Sequence, residues 1–211
     1  MRFVRVLWQI AVGCFAVATI AGCGATHPTK YYALDAPAPP PAAAPSQGSV
    51  RLLVGHISSS HLYLEDRVVY ASNDVEMGTY EYERWSEPPV DMLQDMLVAD
   101  LRATGQYRAV SRVGSASRGD YVVRGRLDAF DEVDKPSLAA RFAFHIELFD
   151  PKSGSVVWSG AYSHDEPVQG KTVSDVVEAL DRNVQTGMQQ LVSGLGQYIA
   201  SHPESSQSAQ Q

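Results

Sequence analysis

The chain has 211 residues, with 17 Lys and Arg against 24 Asp and Glu and a formal net charge of −7. An acidic chain without a basic stripe argues against nucleic acid as a partner, and against adhesion to anionic lipid through charge. Its two cysteines, Cys14 and Cys23, both lie near the N-terminus, so the remainder is expected to be held by its core and not by disulfides.

Residues 1–22 open with Arg2 and Arg5, continue as an almost uncharged apolar run to Ile20, and close as Ile20-Ala21-Gly22-Cys23. A basic start, an apolar middle and small residues before a cut site predict a secretory signal peptide. An aliphatic residue at −3, small residues at −2 and −1 and cysteine at +1 resemble the bacterial lipobox. That resemblance implies cleavage before Cys23, a diacylglyceryl thioether on its sulfur and an N-acyl chain on the new terminus. No other cofactor is expected. A membrane-spanning helix is the competing reading, but the run from Val4 to Ile20 is interrupted by Gln9, is short of the roughly 20 residues a bilayer requires, and has no basic residue after it until Lys30. Cleavage leaves 189 residues and removes two arginines, moving the formal charge from −7 to −9. Gly24 stands where an aspartate commonly retains enterobacterial lipoproteins in the inner membrane, which favours the outer membrane, facing the periplasm.

Residues 23–48 read as a lipidated N-terminus followed by a Pro/Ala tether (Ala36 to Gly48) of extended, semi-rigid character. Tyr31-Tyr32-Ala33-Leu34 is less linker-like and suits a small strand against the domain. Residues 49–202 read as one domain. Val50 to Val54 predicts a short buried strand ended by Gly55, Arg67 to Tyr70 another, and Tyr80 to Trp85 an extended piece. Pro88 and Pro89 suit a helix start; Val90, Leu93, Leu97 and Leu101 then recur at spacings of 3 and 4, predicting an amphipathic helix over about 88–104. Strands follow at 107–113, from Tyr121, and most clearly where Phe142, Phe144, Ile146 and Leu148 alternate with polar residues. Asp150 to Gly154 has turn chemistry, and Val156, Trp158 and Tyr162 mark a returning strand. Val173, Val177, Leu180, Val184, Met188, Leu191, Leu195 and Tyr198 predict a long helix over about 172–200, with Thr172 and Asp175 placed as a capping box. The expected architecture is α+β: a mixed, mostly antiparallel sheet with one wet face, covered by the two helices, and a right-handed crossover between residues 50 and 111. Residues 203–211 are Ser- and Gln-rich and are expected to be disordered.

Material for catalysis is sparse. There is no nucleophile-elbow sequence, no phosphate-binding glycine loop and no metal-type His/Cys spacing. His56 and His61, with Glu65 and Asp66 nearby, suggest a solvated loop more than a metal site. His145 falls on the polar face of a strand. Ser115, Ser117 and Arg118-Gly119-Asp120 fall in a turn, and Glu147, Asp150, Asp165 and Glu166 read as surface carboxylates. A hydrolase would need a buried Ser or Asp beside His145 or His164.

The run Tyr80-Glu81-Tyr82-Glu83-Arg84-Trp85-Ser86-Glu87-Pro88-Pro89 stands out, with three aromatics among acids directly before the first helix. Local packing explains it if Trp85 staples the helix entrance and Arg84 pairs with a carboxylate. An exposed aromatic edge for a protein partner, carried by Tyr80, Tyr82, Arg84 and Trp85, is the alternative.

Cys23, Tyr31 to Leu34, Tyr63-Leu64-Glu65-Asp66-Arg67-Val68-Val69-Tyr70, the run 80–89, Met92-Leu93, Leu97, Leu101, Gly105 and Val110 appear in an order that resembles the ABC-type transport auxiliary lipoprotein family. The Arg-Trp-x-x-Pro-Pro part carries most of its specificity; the long Pro/Ala insertion after Leu34 departs from it. The resemblance implies an outer-membrane lipoprotein of a family with no established catalytic residues, working with an ABC permease and ATPase and with an inner-membrane-anchored, periplasmic MCE-domain protein. Such systems are thought to move phospholipid or other apolar molecules between the membranes. Protein docking is the expected mode of action, with the tether setting reach. Direct lipid carriage between the C-terminal helix and the sheet, and regulation of a cell-wall enzyme, are the rival expectations. The oligomeric state stays open, self-association included.

Overall fold

A computed structural model describes residues 27–35, 48–72, 75–114 and 118–202. The signal segment, Cys23, residues 36–47, Ser115, Ser117 and the 203–211 tail lie outside the described residues.

The chain order is β1 (Lys30–Tyr32), β2 (Arg51–Ser59), a 3-10 turn (His61–Tyr63), β3 (Arg67–Ala71), β4 (Met77–Trp85), α1 (Pro89–Ala103), β5 (Ala109–Arg112), β6 (Tyr121–Val133), β7 (Ala139–Asp150), β8 (Ser155–Pro167) and α2 (Val173–Ser201). Among the described residues the eight strands form one sheet. Its spine is the antiparallel meander β6–β7–β8, which supplies most of the residue pairs in register. The free edge of β6 is shared. Its first half pairs in parallel with β2, which pairs in parallel with β5. Its last residues pair in parallel with β3, which carries β4 antiparallel and, beyond it, β1 parallel. The sheet is therefore mixed, as the patterning predicts, and β2 and β5 lie parallel as a crossover requires.

Alternation along β7 sends Ala140, Phe142, Phe144, Ile146 and Leu148 into the core and Arg141, Ala143, His145, Glu147 and Phe149 to the other face. Both helices cover the first face. Leu93, Leu97 and Leu101 of α1, and Leu180, Val184, Met188 and Leu195 of α2, are fully buried. Pro89 opens α1 within its first turn, and Gly105, at φ +63, takes the left-handed conformation just past its end. At α2 the capping box is formed: the Asp175 amide donates to Thr172 Oγ1 at 3.2 Å and the Thr172 amide to Asp175 Oδ2 at 2.8 Å. The opposite face is the wet one; Arg124 lies 3.7 Å over the Phe149 ring there, and Arg126 Nε donates to Asp128 at 2.8 Å.

Two expectations are corrected. Gly55 does not end β2: the strand runs on to Ser59, with a register shift against β6 between Val54 and Ile57. That irregularity leaves the Gly55 carbonyl to accept from Gln94 Nε2 of α1 at 2.7 Å, a bond within the core. The second concerns the tether. Lys30–Tyr32 is already part of the sheet, Leu34 is buried in the core, and the Asp35 amide donates to Asp181 Oδ1 of α2 at 2.8 Å. The folded domain thus begins before residue 49. The Pro/Ala segment connects two parts of the fold and does not separate the fold from Cys23.

Candidate functional site

β4 and its neighbours divide the aromatic run between opposite environments. Trp85 is 1% exposed and packs edge-on against Tyr32 (6.5 Å between centroids) and against Phe130 (5.0 Å). Its backbone amide donates to the Asp66 carbonyl, and its indole Nε1 is buried without a hydrogen-bond partner. Trp85 is thus a core residue between β1 and β6, with almost none of its side chain at the surface. Tyr80 is half-buried, tilts against Tyr70 at 5.1 Å and donates its hydroxyl to both Glu132 oxygens at 2.9 and 3.1 Å. Burial first, then that carboxylate, raises the Tyr80 phenol well above its usual value.

Arg84 Nη1 donates to Asp66 Oδ1 at 2.6 Å, tying the β4 end to the turn before β3. On the core-side face, Lys30 Nζ bonds Glu83 Oε1 at 2.9 Å, and the Tyr32 hydroxyl donates to Glu83 Oε2 at 2.6 Å. Burial and then the Glu83 carboxylate push the Tyr32 phenol up to about 12. Burial alone would raise Glu83, but the bonds from Tyr32 and Lys30 outweigh it and hold the carboxyl below its ordinary value. Tyr82, 39% exposed, stacks on the exposed ring of His27 at 5.5 Å. Tyr31 pairs in register with Arg84 and so shares the outer face with Tyr82; it is 65% exposed. Composition alone marks 80–85 as aromatic; which rings are outside follows from β1 pairing in parallel with β4, and a three-residue strand gives little sequence signal.

A second feature is a groove of about 830 Å³ between α1 and α2, lined among others by Asp35, Met96, Asp100, Gln106, Gln189 and Val192. Its walls carry two carboxylates and several amides, and burial raises the Asp100 carboxyl above its usual value. Between α2 and the sheet, the place expected for carried lipid, Tyr162 donates to Asn183 Oδ1 at 2.8 Å, and Asn183 Nδ2 donates to the Ala140 and His164 carbonyls at 2.9 Å each.

The remaining candidates are spread over the surface. His61 lies 3.1 Å from Glu65 one turn on, and His56 is exposed on β2; among the described residues no cluster of His, Cys, Asp and Glu is placed to hold a metal ion. His145 sits 3.1 Å from the partly exposed Asp128, and His164 3.5 Å from Glu166. Asp120 of the Arg-Gly-Asp tripeptide is engaged internally, accepting from the Arg51 amide at 2.8 Å and from its guanidinium at 3.1 Å. Among the described residues no helix is long and apolar enough to cross a membrane.

A family model described as the ABC-type transport auxiliary lipoprotein component matches residues 32–192. The chain belongs to this family. Among solved structures, a Xanthomonas campestris protein is 22% identical, with a TM-score of 0.70, the alignment covering 85% of this chain and 99% of that one. The crystal structure of an uncharacterized protein is 16% identical with a TM-score of 0.62, covering 82% and 99%. These likenesses show that this auxiliary-lipoprotein chain shares its fold with them. No curated protein matches it. The family match begins at Tyr32, inside β1, in keeping with β1 being part of the domain.

Proposed function

We propose that the chain is a lipid-anchored, non-catalytic accessory subunit of an ABC/MCE-type system that moves phospholipid or other apolar molecules between the inner and outer membranes. Cys23, carrying diacylglycerol and an N-acyl chain, holds it at the outer membrane facing the periplasm. The folded domain docks the MCE-domain protein and, through it, the permease and ATPase. The observation that carries this reading is the match to the auxiliary lipoprotein family over residues 32–192, directly behind the lipobox-like Ile20-Ala21-Gly22-Cys23. Multiple acyl chains, each burying methylenes at about 0.8 kcal/mol apiece, give stable anchoring without a spanning helix.

Docking is favoured over direct lipid carriage by the packing. Fully buried residues such as Leu180, Val184 and Met188 occupy the helix–sheet interface where an acyl chain would lie, and the groove between α1 and α2 has carboxylates and amides in its walls. A rigid platform suits a protein that positions other subunits. Replacing Cys23 with alanine in the full chain tests the anchor. The expected result is loss of the chain from the outer-membrane fraction together with loss of transport; a variant that stays membrane-bound and active would sink the reading.

A further inference from the structure

The geometry points to a second contact with the membrane: we propose that the outer face of the β1–β4 edge, carried by Tyr31 and Tyr82, rests on the phospholipid headgroups of the leaflet that holds the anchor. The inference rests on lipidation of Cys23.

The length of chain ahead of the fold carries it. Cys23 and His27 are separated by four residues, which even fully extended reach only about 14 Å, and Lys30 is at most about 25 Å away. His27 is itself stacked on Tyr82. Because β1 is locked into the sheet by its pairing with β4, no longer spacer intervenes. Whatever way the domain turns, Lys30 at the start of this edge stays within about 25 Å of the acylated cysteine. An anchored chain therefore holds Tyr82 within a distance comparable to a headgroup layer plus one side chain.

The chemistry at that edge fits the same partner. Tyr31 and Tyr82 are among the most exposed large aromatic side chains, and tyrosine, with an apolar ring and a polar tip, favours the interface between hydrocarbon and water. Lys30 is paired with Glu83 and Arg84 with Asp66, and the further charge beside Tyr82, Glu81, is acidic, so the edge is not a polybasic patch. With a net charge of −9 after cleavage, attraction to anionic lipid is not expected. The contact should therefore form on zwitterionic headgroups and be insensitive to salt.

The test uses the full lipidated chain in vesicles of phosphatidylethanolamine and phosphatidylcholine. With Cys23 acylated, a single cysteine can be introduced and spin-labelled, in Tyr31→Cys, Tyr82→Cys or, as control, Ser153→Cys. Ser153 lies in the β7–β8 turn, beside the start of β6, whereas β1 and β4 attach through β3 to its end. Expected are labels at 31 and 82 that are relaxed more by oxygen than by a polar nickel chelate, unchanged in high salt, and a label at 153 with the opposite preference. Vesicle flotation of the same samples reads the anchor separately. A chain that floats but whose labels at 31 and 82 are as water-accessible as that at 153 overturns the membrane contact and leaves the anchor standing. A chain that does not float overturns both. Labels at 31 and 82 that become protected only when the periplasmic partner is added assign the edge to protein instead.

Discussion

Asp131, on β6, is the one charged side chain buried among the described residues, 0% exposed, and it is held by two neighbours: Arg141 Nη2 donates to it at 2.7 Å and the Tyr63 hydroxyl at 2.9 Å. Tyr63→Phe should lower unfolding stability by about 1.5–3 kcal/mol, the range for a hydrogen bond to a charged group, read as a shift of the urea midpoint. Arg141→Met should cost about 3 kcal/mol, at the low end for breaking a buried pair, because Arg141 itself reaches the surface. Two carboxylates give opposite pH signatures. Burial alone would raise Asp120, but the hydrogen bonds and charge of Arg51 outweigh it and depress the carboxyl. Its contribution is full above the unfolded value of about 3.9 and is lost as pH falls through the folded one, so Asp120→Asn should be destabilised at pH 7 and converge with the parent in acid. Asp100 is raised by burial, so the folded state favours the neutral form; stability is full below about 3.9 and falls as pH rises through the folded value. Asp100→Asn should therefore be more stable than the parent at pH 7, with no difference below about pH 3. None of these pairings could be read from the chain, since Tyr63, Asp131 and Arg141 meet only through the β3–β6–β7 register. The local packing of Trp85 and the pairing of Arg84 with a neighbouring carboxylate were legible, because an aromatic and an arginine among acids have partners close at hand in the run itself and the turn before β3.

At the scale of elements, the sequence patterns that survive are those with many repeats. α2 recurs over eight apolar positions and β7 over four alternations, so both are placed within a residue or two of their observed ends. β2 misleads at Gly55, which reads as a stop signal when it lies within a register shift whose free carbonyl is satisfied by Gln94, a partner 39 residues away. Gly187 is a comparable case in α2. A Cβ there would stand 2.6 Å from the Tyr162 ring and 2.9 Å from Phe142, so the glycine allows α2 to approach the sheet closely. Gly187→Ala gains about 1 kcal/mol of helix propensity, but overpacking costs about 1–3 kcal/mol, and the Tyr162 ring is pinned by Asn183. A net loss of about 1 kcal/mol is expected in thermal unfolding, against the gain that propensity alone would give.

The whole molecule differs from its sequence reading chiefly in where the Pro/Ala segment falls. Between β1 and β2, both of whose ends are held in the fold, it does not lie between Cys23 and β1; under the proposed anchoring, the distance from the membrane is set by the few residues between Cys23 and His27. Inserting a second copy of residues 36–47 after position 47 should leave energy transfer between labelled lipid and a dye at Ser153→Cys unchanged, at a loop-closure cost of about 0.6 kcal/mol. The same insertion after Gly24 should lower the transfer. Family membership was legible from the order of short motifs, and Tyr31 to Leu34 read as a small strand against the domain; its parallel pairing with β4 was not legible, because a three-residue edge strand has too few alternations to name its partner. The central claim is that this lipoprotein serves an ABC/MCE assembly, and affinity purification of the full chain from solubilised envelopes, with mass-spectrometric identification, tests it most directly. The account expects an acylated chain beginning at Cys23, recovered with an MCE-domain protein and its permease and ATPase; an unacylated chain, or one recovered with a cell-wall synthase and no transporter subunit, would contradict it.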